Sequence, residues 1–105
     1  MRMLIGGLAA VALLAVAAEK SGDSGRGKAI FEQHCATCHH AAGAEKKLGP
    51  GLKGLYQKRK MQTGQKPTDQ SVRARFDKGG GGMPSFKELL SAEQKADLLA
   101  YLKTL

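Results

Sequence analysis

Both cysteines and all three histidines of this 105-residue chain stand in one stretch, "EQHCATCHH", Glu32 to His40. They crowd into the seven positions from His34 to His40, and neither residue type recurs elsewhere. Whatever the chain folds into must therefore bring its sulfur and imidazole chemistry to a single turn. Everything else in the sequence has to be read against that restriction.

The first eighteen residues, "MRMLIGGLAAVALLAVAA", have the form of a removable export leader. Arg2 supplies the positive start, Leu4 to Ala18 is uncharged and mostly apolar, and Ala15, Ala17 and Ala18 offer a small-residue cleavage site. The competing reading is an uncleaved membrane anchor. Fifteen helical residues reach roughly 22 Å against a hydrocarbon core of roughly 30 Å, which favours the leader. Cleavage before Glu19 leaves residues 19–105 as one small domain, to be expected in the periplasm. A domain of that size is only marginally stable without a staple such as a metal, a cofactor or a disulfide.

The net charge of +8 falls to +7 once Arg2 leaves with the leader, and the excess is unevenly placed. Lys46, Lys47, Lys53, Lys58, Arg59, Lys60 and Lys66 follow one another with no acid between them. Such a run usually keeps a protein in solution. Nucleic-acid binding is a poor explanation, because Trp is absent and the few Tyr and Phe are not interleaved with the run as stacking platforms would be.

Helical periodicity predicts an all-α domain. A first helix is expected from about Ser24 to Cys35, capped by Asp23, with Ile30 and Phe31 on its apolar side. Gly25 and Gly27 are unfavourable there by roughly 1 kcal/mol each, and close approach of another helix is a reason to keep Gly27. The middle is loop, turned by "LGPGL", with a short helix expected from about Leu52 to Lys60. The next helix is capped by Thr68 or Asp69, places Val72 and Phe76 on one face, and stops at Gly79. Four glycines then deliver Met83. The last helix opens at Ser91 with Gln94 as a capping box, and Leu98, Leu102 and Leu105 form its stripe. No strand pattern appears.

Two thiols three apart with an imidazole immediately after suit a redox dithiol, half of a zinc site, a local disulfide or a covalently attached haem. A thioredoxin-like dithiol belongs at a helix start after a strand. Here the pair closes a helix and there is no strand. A structural zinc site needs four ligands, and no second pair exists. A disulfide would close a very small loop and leave His39 unexplained. Haem accounts for the whole set: Cys35 and Cys38 lie on one side of a helical turn, and His39 is carried towards the iron. His34 and His40 then read as packing or surface residues.

"CATCH", "LGPGL", "GGMPSF" and "KADLLAYLK" stand in the order seen in class I c-type cytochromes, and the chain resembles that family from about Asp23 to Leu105. The resemblance implies one haem c with its iron, bonded through Cys35 and Cys38, with His39 as proximal and Met83 as distal ligand. It places Pro50 where a backbone carbonyl accepts the proximal imidazole N–H, with Leu52 beside it at the cofactor. Met61, in "KRKMQTG", is the competing thioether. Gly27 and Phe31 match first-helix positions that pack on the last helix, where Leu98 and Tyr101 match their partners. Gly51 departs from the family's usual Asn, and the family's tryptophan near the propionates has no counterpart.

A six-coordinate iron implies an electron carrier and not an enzyme. Its expected partners are redox proteins with acidic docking faces, met by a monomer. Membrane association is expected only through a retained leader or a membrane-bound redox complex. The alternative is a haem-bearing subunit or tethered relay of a larger oxidoreductase.

Overall fold

The computed structural model describes residues 22–105, so the expected leader, 1–18, lies outside the described residues. Among the described residues three α-helices follow one another, α1 (Ser24–His34), α2 (Asp69–Lys78) and α3 (Ala92–Leu102), with one 3-10 turn at Leu55–Gln57. Among the described residues there is no strand, only an isolated bridge between Gly80 and Met83. None of these helices is long and apolar enough to cross a membrane.

Each helix starts where its side chains can satisfy free backbone N–H groups. Asp23 accepts from the Arg26 N–H ahead of α1. Thr68 and Ser71 form a capping box on α2, and Ser91 and Gln94 form one on α3. Gly79 closes α2 at a φ of 67°, the left-handed region that glycine enters without strain. The short helix expected over Leu52 to Lys60 shrinks to Leu55–Gln57. Gly54 enters it at a φ of 67° and Lys58 leaves it extended, so the backbone confines the helix to a single turn around the buried Leu55.

The core is Ile30 and Phe31 from α1, Leu55, Val72 and Phe76, Phe86 and Leu90, and Leu98, Leu99 and Leu102 from α3. Helices α1 and α3 cross where Gly27 stands. A Cβ there would lie 1.9 Å from the Asp97 carbonyl oxygen, so only glycine lets the backbones approach this closely. One turn on, the rings of Phe31 and Tyr101 sit 5.6 Å apart and tilted. Leu98, 1 % exposed, fills the space beneath.

Two charged residues of α3 are buried with the leucines. Asp97 accepts from the Asp23 backbone N–H at 2.7 Å and from Arg26 Nε at 3.0 Å, which ties the start of α1 to α3. Lys95 donates to the Lys87 carbonyl at 2.8 Å and pairs with Asp77 Oδ1 at 2.8 Å, linking α3 to the end of α2. A buried ammonium with both partners supplied avoids the desolvation cost of an unpaired charge.

Candidate functional site

Helix α1 ends at His34, and the chain stays tightly wound beyond it. The Cys35 N–H donates to Phe31 O at 2.7 Å, and the N–H groups of Cys38 and His39 both donate to Cys35 O, at 3.1 and 3.0 Å. This turn keeps Cys35, Cys38 and His39 together, all half-buried. The loop after it folds back: Gly49 N–H donates to Cys38 O at 2.7 Å and Lys47 Nζ to Ala36 O at 2.9 Å. His39 Nδ1 then lies 2.8 Å from Pro50 O. A carbonyl can only accept, so Nδ1 is the donor here and Nε2 is the ring nitrogen left for another partner.

Gly49 is packed on the imidazole. A Cβ at that position would stand 2.4 Å from His39 Cε1 and under 3 Å from both ring nitrogens. Gly51 is equally constrained, since a Cβ there would lie 2.3 Å from Gly43 O. The space an Asn side chain would need is filled by the backbone of residues 43–45, which accounts for the departure at this position. Leu52 sits next in line, with its N–H on His40 O at 2.8 Å and its side chain half-buried against the core.

The facing wall is the glycine loop. Gly79, Gly80, Gly81 and Gly82 all have positive φ, and the bridge between Gly80 and Met83 turns the chain so that Met83 lines the cavity. Phe86 N–H donates to Phe76 O at 2.8 Å, and Ser85 Oγ to Asp77 O at 2.5 Å, which anchors the returning strand of chain to α2. Between the two walls is a cavity of about 560 Å³, lined by Cys35, Cys38, His39, Pro50 and Met83 together with His34, Thr37, Leu48, Gly49, Gln62, Arg75, Gly81, Gly82, Pro84 and Phe86. Its size falls within the roughly 300–1,000 Å³ of cofactor pockets.

Five of the six residues singled out from sequence therefore meet around one cavity; Leu52 stands behind that wall. His34 is on the lining, edge-on to Phe86 with ring centroids 5.8 Å apart, and His40 is exposed. Met61 is half-buried against the core, in a turn where its N–H donates to Gln65 O. Gly49 and Arg75 are the residues that sequence reasoning passed over. Gly49 had a signal in "LGPGL", but Arg75 acts on a loop whose return path no local pattern shows.

The competing chemistries fit this geometry less well. Burial, and then the neighbouring Cys38 thiol, push the Cys35 thiol up to about 11, opposite to the lowered value that a dithiol catalyst needs. The two thiols are not joined to each other. Among the described residues no three His, Cys, Asp or Glu side chains are grouped so as to hold a metal ion by themselves. Two thiols on one turn, an imidazole with a free Nε2, and a thioether across a cofactor-sized cavity do fit a covalently held haem.

Residues 22–102 match the family model described as cytochrome c oxidase, cbb3-type, subunit III. A cytochrome c-553-like protein of Synechocystis is 36 % identical over 91 residues, covering 80 % of this chain and 70 % of that one. A cytochrome c6 from the same organism is 31 % identical over 95 % of this chain and 77 % of its own. The solved structure of cytochrome c6 from the diatom Phaeodactylum tricornutum superposes with a TM-score of 0.62 at 32 % identity, over 79 % of this chain and 93 % of that one. The chain belongs to the class I c-type cytochromes. Like other c-type cytochromes it carries haem c with its iron, and Cys35, Cys38 and His39 supply the C-x-x-C-H attachment sequence. The cytochrome is an electron-transfer protein and not an enzyme.

Proposed function

We propose that this cytochrome is a periplasmic one-electron carrier in which Cys35 and Cys38 form the thioethers and His39 and Met83 hold the iron from opposite sides. The 2.8 Å approach of His39 Nδ1 to Pro50 O carries this reading, because it leaves Nε2 as the free donor atom in a cavity that Met83 also lines. Haem, when bound, supplies the Fe(III)/Fe(II) couple, and thioether opposite imidazole raises its potential. The polypeptide's part is to fix both donors and exclude water. Pro50 O holds the tautomer and strengthens the imidazole as a base. Gly49 packs on the ring, and Leu52 secures the loop through its bond to His40. With His39 and Met83 both donating to the iron, the chain would leave no open position for oxygen activation.

The exposed basic residues from Lys46 to Lys66 suit monomeric encounters with redox proteins of acidic docking face. A second reading, a haem-bearing subunit of a larger oxidoreductase, is favoured by one observation: the matching family model bears the name of an oxidase subunit. Recovery only with membranes or in a stable complex would support it.

Intact mass and a reduced-minus-oxidised spectrum of protein from a host with haem-attachment machinery test the primary reading. Expected are a mass increased by one haem, thiols closed to alkylation, and loss of the chain before Glu19. Met83→Ala should admit cyanide to the ferric protein where the parent resists it. A colourless product with alkylatable Cys35 and Cys38 would overturn the assignment.

A further inference from the structure

The loop that carries Met83 has little of its own to hold it. Gly80, Gly81 and Gly82 are exposed, with φ of 106°, 63° and 93°, and a Cβ on any of them would meet nothing within 4 Å. No packing restrains this segment, and glycine backbone loses the most conformational freedom when it is ordered. Gly80 N–H donates to Met83 O at 2.8 Å and Met83 N–H to Gly80 O at 3.1 Å, a bridge two bonds wide. Arg75 supplies a further tie. From the last turn of α2 its Nη1 donates to Gly79 O at 2.7 Å and its Nη2 to Gly80 O at 3.2 Å. The guanidinium is half-buried and lines the same cavity as His39 and Met83.

A planar fork across two successive carbonyls fixes the direction of the peptide as well as its distance, which a single ammonium cannot do. Gly80 O accepts from both Arg75 and Met83, so a loosened guanidinium acts directly on the bridge that turns Met83 inward. We infer that Arg75 is a positioning residue, whose forked side chain holds the glycine loop and thereby seats Met83 on the cavity. The inference rests on the proposed role of Met83 as the iron's distal ligand.

The test compares the haem-loaded parent with Arg75→Leu, Arg75→Lys and Met83→Ala. Three quantities are read: the absorption that marks a sulfur–iron(III) bond, the rate of cyanide binding to the ferric protein, and amide exchange at Gly80 and Met83. Arg75→Leu should raise the cyanide rate and the exchange of both amides on the order of tenfold, with α1 and α3 amides unchanged. Arg75→Lys should fall between parent and Arg75→Leu, because a point charge replaces a fork. Parental exchange and cyanide rates in Arg75→Leu would overturn the inference, as would a uniform rise across all three helices. Survival of the sulfur–iron band in Met83→Ala would instead remove Met83 as ligand. In that event the amide exchange still decides whether Arg75 holds the loop.

Discussion

At His39 one backbone carbonyl and one missing side chain set the chemistry of the ring. Pro50 O accepts the hydrogen bond from Nδ1–H, and Gly49 leaves the space in which the imidazole lies. Gly49→Ala should push the ring off its carbonyl, since the new methyl would stand 2.4 Å from Cε1. In the proposed His39-ligated haem, a weaker N–H···O bond would make the imidazole a poorer base and stabilise the reduced iron. The midpoint potential is expected to rise by roughly 40 mV, the one-electron equivalent of about 1 kcal/mol. Potentiometric titration of the variant checks this, and a potential equal to the parent's would show that the ring does not depend on Gly49. His39 and Pro50 are legible from "CATCH" and "LGPGL", whereas the packing role of Gly49 is not, although the second motif contains it. Nor is the reason for Gly51, because it lies in the path of residues 43–45 and no local pattern reports a neighbouring loop.

Helix starts are legible because capping is local chemistry: Asp23, Thr68 and Ser91 each act within three residues of themselves. The helix expected from about Leu52 to Lys60 is cut to Leu55–Gln57, because Gly54 at a positive φ and the extended Lys58 bound it on either side. Lys95 was partly readable, three and four residues before Leu98 and Leu99 on the apolar face, but its partners Asp77 and the Lys87 carbonyl come from elsewhere. Asp97 shows what such a tertiary partner does. The Arg26 side chain, and then the Asp23 backbone N–H, hold its carboxyl below the ordinary carboxylate range. The unfolded chain therefore binds a proton at Asp97 more readily than the folded one, so stability rises with pH across that interval. The contribution is complete above the unfolded value of about 4 and is lost as pH falls through the lower, folded value. Urea midpoints measured from about pH 6 to about pH 3 should converge between the parent and Asp97→Asn as the pH drops. A gap that stays constant over that range would dissociate Asp97 from the acid sensitivity of the α1–α3 crossing.

Taken whole, the molecule joins a small buried core to an uneven charge, and the basic run contributes part of the cavity wall. The basic run reaches the lining twice, at Leu48 to Pro50 and again at Gln62. Leu48, 78 % exposed, stands between the wall and the solvent beside Lys46 and Lys47. If the electron leaves on this side, as proposed, the positive field would favour anionic reactants and repel cationic ones, and salt would weaken both effects as the screening length shrinks to about 8 Å at physiological ionic strength. Reduction and oxidation by small complexes of opposite charge test this without a protein partner. The rate with an anionic iron hexacyanide should fall on the order of tenfold from about 0.01 to about 0.15 M salt, while that with a cationic cobalt hexammine should rise. Lys53→Glu with Lys60→Glu should flatten both slopes and leave the visible spectrum unchanged, since neither side chain lines the cavity. Equal slopes for the two reagents would mean that the electron leaves through a neutral face. The excess of lysine would then serve solubility alone, and the acidic docking partner would lose its support.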